Sequence, residues 1–552
     1  MTEAIHKPAA RFIAPQNLPA WKALADHAQR LAGCSLLSLF DGDMARAKRF
    51  SLNFVDPAEP WHAALIADFS KQYIDDAVLD DLIRLAHEAR LSDGVRRLFS
   101  GEALNFTEGR AAAHMAMRGS CPPPAGMGSD MRAIRAFAFA LRDGEFIGSA
   151  GKPIRHLVNI GIGGSDLGPR LVTEALADSR MTGGFEVDFV ANIDPLELDT
   201  VLARSEAAST LFLISSKSFS TAETLVNAGV ARHWLRMSLG RDADLGAHFA
   251  AVSNAIEAAT AFGIRPDRIF PLPEWIGGRY SVWAATGLPA IISIGGMFDA
   301  FLAGAKAMDD HFRTTPIECN LPVLLALIGL WNVDFIGIPS LAALPYAHSL
   351  RSFPAWLQQL EMESNGKRAL RDGSHTEVAT APIVWGAAGT VGQHAFHQLL
   401  YQGSHRVALD FIVPVGGDEP RQRALVDNAL AQSAALMVGR NLEAARAALA
   451  QKGLPEDEIE RLAPHLVCEG NQPSTTLLLP QLDASHLGML LALYEHKTFV
   501  QAWIWGINPF DQYGVELGKE MARALAAGQT GEQDTSTTRL AKQAETLRQT
   551  SN

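Results

Sequence analysis

From about residue 150 onward, short runs of β-type apolar residues alternate with helical stretches. HLVNI leads into GIGGSDLGP and then the helical RLVTEALAD. FEVDFVAN leads into DPLELDTVLAR, and TLFLISS into KSFST and the helical AETLVNAGVARHWL; HFAAVSN and DRIFPLP follow. Alternation on this scale predicts βαβ units and a parallel sheet. A helix-rich section follows Gly278, and then a second series begins: LAALPYA, APIVWG, RVALDFIVPV and STTLLLPQL. We read it as a second α/β domain, with no clear sequence repeat between the halves. Length agrees, because 552 residues exceed the roughly 250–300 that one core usually organises.

The flanks differ in texture. AWKALADHAQRLAG and DDAVLDDLIRLAHEARL carry apolar residues at helical spacing, so residues 1–120 read as mostly helical. The Pro/Gly-rich CPPPAGMGSD is a candidate boundary. The polar tail from about residue 524 contains TRLAKQAETLRQ, which can form a helix but by itself buries little. LPAIISIGGMF and LPVLLALIGLW, followed by Asp299 and Asp334, are shorter than the roughly 20 residues of a membrane span and read as buried helices. The N-terminus lacks a signal-type apolar core. Cys34, Cys121, Cys319 and Cys468 lie far apart with no CxxC pair. A disulfide framework or metal cluster is therefore not expected, and a reducing compartment fits. A net charge of -12 argues against a general nucleic-acid binder, while a few converging donors still suffice for an anionic small molecule.

Six segments carry candidate chemistry. Gly161–Gly168 follows an apolar run and opens a helix, where free N–H groups suit phosphate or polyol ligands. Asp166 occupies the third glycine position of GxGxxG, so the dinucleotide fingerprint fails. A ligand loop and a tight strand–helix turn both remain open. Ser215–Thr221 packs five hydroxyls and Lys217 into seven residues at a helix start; an N-cap needs one hydroxyl, and the excess favours phosphate. Gly277-Gly278-Arg279 taken alone reads as a turn beside a surface arginine, though Arg279 could stabilise an oxyanion. Glu363 lies just before the helix stop Asn365-Gly366, near a C-terminal dipole that disfavours the anion and so suits a base. His394, at a loop-to-helix junction, can exchange protons. It lacks the i, i+4 partner of a zinc helix, so no metal is expected. Lys519 could contact an oxygen anion, although alone it reads as a solvated helix lysine.

Together and in this order, these segments resemble the glucose-6-phosphate isomerase (phosphoglucose isomerase) family. EWIGGRYSVWAATG and GINPFDQYGVELGK look like its two signatures, and SKSFSTAET, MESNGK and GQHAF match further landmarks, over about residues 50 to 520. The resemblance implies two sugar-isomerase (SIS-type) doubly wound α/β/α domains, with a helical N-terminal region and a C-terminal helical arm. The boundaries implied are a helical region at 1–120, a small domain at 121–287, a large domain at 288–515 and an arm at 516–552. It implies interconversion of glucose 6-phosphate and fructose 6-phosphate through ring opening and a cis-enediolate, without cofactor or metal. A cytoplasmic homodimer that shares its active sites is expected, with no nucleic acid or membrane partner.

Position by position, the resemblance makes Glu363 the proton-shuttling base and Arg279 the enediolate stabiliser. His394 would assist ring opening from a neighbouring subunit, oriented by Glu223, and Lys519 would act near the ring oxygen. Ser216, Lys217, Ser218 and Thr221 would hold the phosphate, with Ser165 nearby, while Gly164, Gln359 and Gln512 line the sugar. Ser218 and Ser220 stand where Thr is frequent, Val391 where Asn is usual, and Tyr513 where Trp is frequent. A dual phosphoglucose/phosphomannose isomerase and a non-catalytic sugar-phosphate-sensing SIS protein are the alternatives.

Overall fold

The strands of each alternating series run parallel to one another in the computed structural model, which describes residues 12–58, 63–125, 130–176, 184–529 and 533–550. The middle of CPPPAGMGSD and the end of RLVTEALAD fall outside the described residues. The strands are β1 (Ser51–Val55), β2 (Ala63–Lys71), β3 (His156–Ile160), β4 (Glu186–Val190), β5 (Thr210–Ser215), β6 (Phe249–Val252), β7 (Ile269–Phe270), β8 (Ser340–Pro345), β9 (Ile383–Gly386), β10 (Ala408–Pro414) and β11 (Ser474–Leu479).

The first sheet has the order β4-β3-β5-β6-β7, parallel throughout. Strands β3 and β5 are buried at every residue, as expected of parallel strands covered on both faces. On one face Val158, Ile160, Phe212 and Ile214 meet Leu198 and Leu202 of the helix Pro195–Arg204, and Ala228 and Leu235 of the helix Ala222–Leu239. The order reverses at β3, which lies between β4 and β5. In open α/β sheets, the crevice beyond the carboxyl ends at such a reversal is where ligands bind. The loops leaving β3 and β5 there are Gly161–Gly168 and Ser216–Thr221.

The second sheet has the order β1-β2-β11-β10-β8-β9. Its last four strands are parallel, whereas β2 runs antiparallel to both β11 and β1. Residues 1–120 are therefore not all helical. The helices Pro19–Leu31 and Asp76–Glu88 form where the spacing predicts them, but the chain between them supplies two strands. The β2 segment AALIADFSK does not alternate cleanly in burial. It becomes a strand by pairing with β11, a partner far along the chain.

The apolar runs form the buried helices Leu288–Ile294 and Leu321–Leu330, and no helix among the described residues is long and apolar enough to cross a membrane. The 22-residue helix Ala484–Trp505 is buried almost throughout, with Glu495, His496 and Lys497 included. Those charges are paired. Arg118 forms ion pairs with Asp309 at 2.8 Å and Glu495 at 2.6 Å, and His496 lies 2.7 Å from Asp309. The chain forms two compact units, Met1–Pro509 and Phe510–Asn552. The second holds the helices Glu516–Ala526 and Thr535–Thr550, the latter where TRLAKQAETLRQ predicts one.

Candidate active site

Neutral contacts cross-tie the two loops at the sheet reversal. Asn159, inside β3, donates to the Ser165 carbonyl at 3.0 Å and accepts from Ser215 Oγ at 2.8 Å. The glycines set how closely the first loop approaches its neighbours. Gly163 has φ +63°, and a Cβ there would lie 2.9 Å from Gln359 Nε2. A Cβ on Gly164 would lie 2.1 Å from the Gly278 carbonyl. Gly164 thus brings this loop against the Gly277-Gly278-Arg279 turn, backbone to backbone. Asp166, which excludes the nucleotide reading, is buried and pairs with Arg170 at 2.9 Å. Burial pushes its carboxyl up, against the pull of Arg170.

The second loop keeps its hydroxyls facing one another. Ser216 Oγ lies 3.1 Å from Thr221 Oγ1, and Ser218 Oγ 2.6 Å from Ser220 Oγ. Thr221 occupies the N-cap of Ala222–Leu239, yet its side chain makes no capping bond. Capping therefore does not account for this cluster. Phe219 takes a left-handed φ of +49°, a costly conformation for a bulky residue, and its ring is held in the sheet core. The Lys217 ammonium reaches the carbonyls of Pro273, Glu274 and Ile276 at 3.1–3.4 Å. It ties the phosphate-type loop to the segment before Gly277, and burial lowers its pKa.

Arg279 is buried, contrary to the surface reading that its motif alone supports. It donates from Nε to Ser364 Oγ at 2.6 Å and from Nη2 to the Pro509 carbonyl at 2.5 Å, while Nη1 lies 3.5 Å from Glu363 Oε2. Tyr280 Oη meets the same Ser364 hydroxyl at 3.0 Å. Glu363 is the last residue of a π-helical turn, Gln358–Glu363, that continues the helix Phe353–Leu357. Such turns recur at functional sites. Glu363 Oε2 is shielded from solvent and accepts no hydrogen bond from any described residue. A shielded, uncommitted carboxylate oxygen beside a buried guanidinium can take a proton from a bound carbon acid while the cation stabilises the resulting oxyanion.

Gly164, Gln359, Glu363 and Arg279 are thus brought together, and Ser216, Ser218 and Thr221 cluster on the loop beside Ser165's. His394 ends the short helix Val391–His394 beyond β9; it is exposed and makes no side-chain hydrogen bond with a described residue. Glu223, in the first turn of Ala222–Leu239, likewise makes none. Gln512 and Lys519 lie in the unit Phe510–Asn552. There Gln512 precedes the turn Tyr513–Val515, and exposed Lys519 pairs with Glu516 at 2.9 Å. Ser364 and Tyr280, which orient Arg279, were not singled out from the sequence. Both lie inside motifs that were, and no local pattern marks either.

The description of the family whose model matches residues 68–541 is phosphoglucose isomerase. The chain belongs to the phosphoglucose isomerase family. A glucose-6-phosphate isomerase of Aromatoleum aromaticum is 60% identical over 545 residues, which is 98% of each chain. One from Pseudomonas aeruginosa is 46% identical over 532 residues, 94% of each. The crystal structure of a glucose-6-phosphate isomerase from Chlamydia trachomatis superposes with a TM-score of 0.79 at 30% identity, over 97% of this chain and all of that one. Membership fits the SIS-type α/β architecture described above, with parallel sheets rimmed by helices.

Proposed function

We propose that this chain interconverts D-glucose 6-phosphate and D-fructose 6-phosphate. Membership in the family and similarity to glucose-6-phosphate isomerases over nearly the whole chain support this reading. The observation that carries the chemistry is Glu363 Oε2, shielded, without a hydrogen bond, and 3.5 Å from Arg279. Glu363 removes the proton alpha to the carbonyl of the opened sugar and returns it to the carbonyl carbon, while the hydroxyl proton passes from O2 to O1. Arg279 stabilises the cis-enediolate between those steps. A positioned base contributes typically about 10²–10⁴-fold, and an oxyanion donor about 2.7–4 kcal/mol. One carbon is reduced as its neighbour is oxidised within the same molecule, so the reaction needs no external redox cofactor.

Ser216, Ser218 and Thr221 hold the phosphate with the helix start behind them, Lys217 adds positive charge, and Ser165 lies alongside. Gly164, Gln359 and Gln512 line the sugar. His394 opens the ring and Lys519 acts near the ring oxygen. The exposure of His394 and its lack of a hydrogen-bond partner among the described residues support a homodimer, in which His394 enters a neighbouring subunit's site and Glu223 orients the histidine that arrives. The domain division 121–287 and 288–515, flanked by residues 1–120 and 516–552, and a cytoplasmic location belong to the same reading.

The test is a cofactor-free assay with and without EDTA, following both interconversion and release of the C2 hydrogen label to solvent. Turnover unaffected by EDTA is expected. Binding with neither interconversion nor label release would overturn the enzyme reading in favour of a sensor. Mannose 6-phosphate run in parallel separates the dual-specificity alternative.

A further inference from the structure

The turn that presents Glu363 is held on three faces, each by residues four apart. Gln358 Nε2 donates to the Val384 carbonyl at 3.1 Å, and Met362 Sδ accepts from the Val384 N–H at 3.3 Å, both on β9. Glu361 accepts two hydrogen bonds from Lys497 Nζ, each 2.7 Å, and Asn365 Nδ2 donates to the Thr498 carbonyl at 3.1 Å, both on Ala484–Trp505. The third pair, Gln359 and Glu363, faces the Gly163 backbone and Arg279. Two faces are thus fastened to the second sheet and the buried helix, and the third is left to work.

Of the contacts described on the first two faces, only Lys497–Glu361 is ionic, with side chains 2% and 0% exposed. Lys497 also lines a cavity of about 20 Å³ with Asp410, Asn332 and Thr475, room for about one water. No bulk solvent screens the pair. A buried carboxylate that accepts both its bonds from one ammonium has few alternative placements, and conformational specificity is one recognised use of buried charge. Neither residue belongs to the proposed machinery at Glu363, Arg279, His394 and Lys519.

We propose that the buried Lys497–Glu361 ion pair is a positioning device for the reaction, fixing the π-helical turn so that Glu363 meets the substrate carbon at one distance and angle. Glu361 and Lys497 act through Glu363 and touch no substrate. The proposal rests on the reading of Glu363 as base. Small misplacement of a base is costly because most of the advantage of proximity depends on a narrow range of geometry. Loosening the pair therefore lowers kcat while the phosphate loops keep binding.

The test compares wild type, Glu361→Leu/Lys497→Met, Glu361→Gln and Glu363→Gln in the full chain. Thermal melts establish folding, and kcat and KM are measured for both sugar phosphates per folded molecule. The double variant removes both charges at similar volume. A fall in kcat of at least fivefold, with KM within threefold, is expected. A kcat within fivefold of wild type, or a loss confined to KM, overturns the proposal, because a merely structural pair would lower the melting temperature and leave kcat unchanged. If the double variant does not fold, the isosteric Glu361→Gln is judged by the same limits. Near-normal turnover in Glu363→Gln would instead overturn the base assignment, whatever positions 361 and 497 show.

Discussion

Two π-helical turns, Trp331–Phe335 and Gln358–Glu363, each carry an acid that leans on the same buried helix, Ala484–Trp505. They treat that acid differently. Glu361 receives two bonds from Lys497. Asp334 receives one, from Trp505 Nε1 at 2.9 Å; its other oxygen is shielded and has no hydrogen-bond partner among the described residues. With no cation paired to it, burial pushes the Asp334 carboxyl up to about 8, so near neutrality it is mostly a neutral acid. The turn that bears the proposed base is locked by charge, and the idle turn by a neutral bond that a proton can alter. A wide turn in a helix is thus not by itself a sign of chemistry; what fastens it distinguishes the two.

Four variants break or sharpen this contrast. The largest effect is expected at the working turn's exposed face. Glu363→Gln lowers kcat by about 10²–10⁴-fold with sugar-phosphate affinity retained, measured by initial rates and calorimetric titration with glucose 6-phosphate. Next, Lys497→Met strands the Glu361 charge and destabilises the fold by about 3–5 kcal/mol, read from urea unfolding; an unchanged midpoint would remove the contrast between the turns. Third, Ser216→Ala with Thr221→Ala weakens phosphosugar binding by roughly 10²–10⁴-fold, since two hydrogen bonds to a charged group are lost at about 1.5–3 kcal/mol each. Its signature is a raised KM, the opposite split from a defect in the working turn.

The smallest effect is at the idle turn. Asp334 has a folded-state pKa raised above its ordinary value of 3.8, so the folded chain keeps a proton that the unfolded chain releases. The stability from that acid is complete below about pH 4 and is lost as pH rises through about 8. Asp334→Asn keeps an acceptor for Trp505 without the ionisation. It should raise the melting temperature by a few degrees at pH 8–9 relative to wild type and lose that advantage toward pH 4. Because Asp334 retains a partly exposed edge, the gain falls well short of the full linkage limit. A gain independent of pH would show that the carboxyl is not the cause.

Much of this was legible because it is local. The strands β3 to β11 announce themselves as short apolar runs before loops, and the loops after β3 and β5 carry the glycines and hydroxyls that their work demands. Asp166 excluded a nucleotide on a single side chain. What escaped depends on partners distant in sequence. Strands β1 and β2 lie between two good helices, and β2, which carries β1 at its edge, pairs with the distant β11. Arg279 looks like a surface residue until Ser364 and Pro509 close over it. Six residues are too few for periodicity to separate a π turn from an α turn, and nothing near Glu361 announces Lys497. For Gln512 and Lys519 the family pattern remains the only guide to their role.

Gly164 against Gly278 has a consequence for how such a pocket can change over time. Where main chain rests on main chain, no side chain is available to trim or extend, and even one methyl group on Gly164 collides with a carbonyl. That wall offers selection no small steps. With the sugar in the proposed site, a shift in which sugar is accepted has to come from side chains such as Gln359, which meets the same loop at Gly163 and can be lengthened, shortened or recharged by single codon changes.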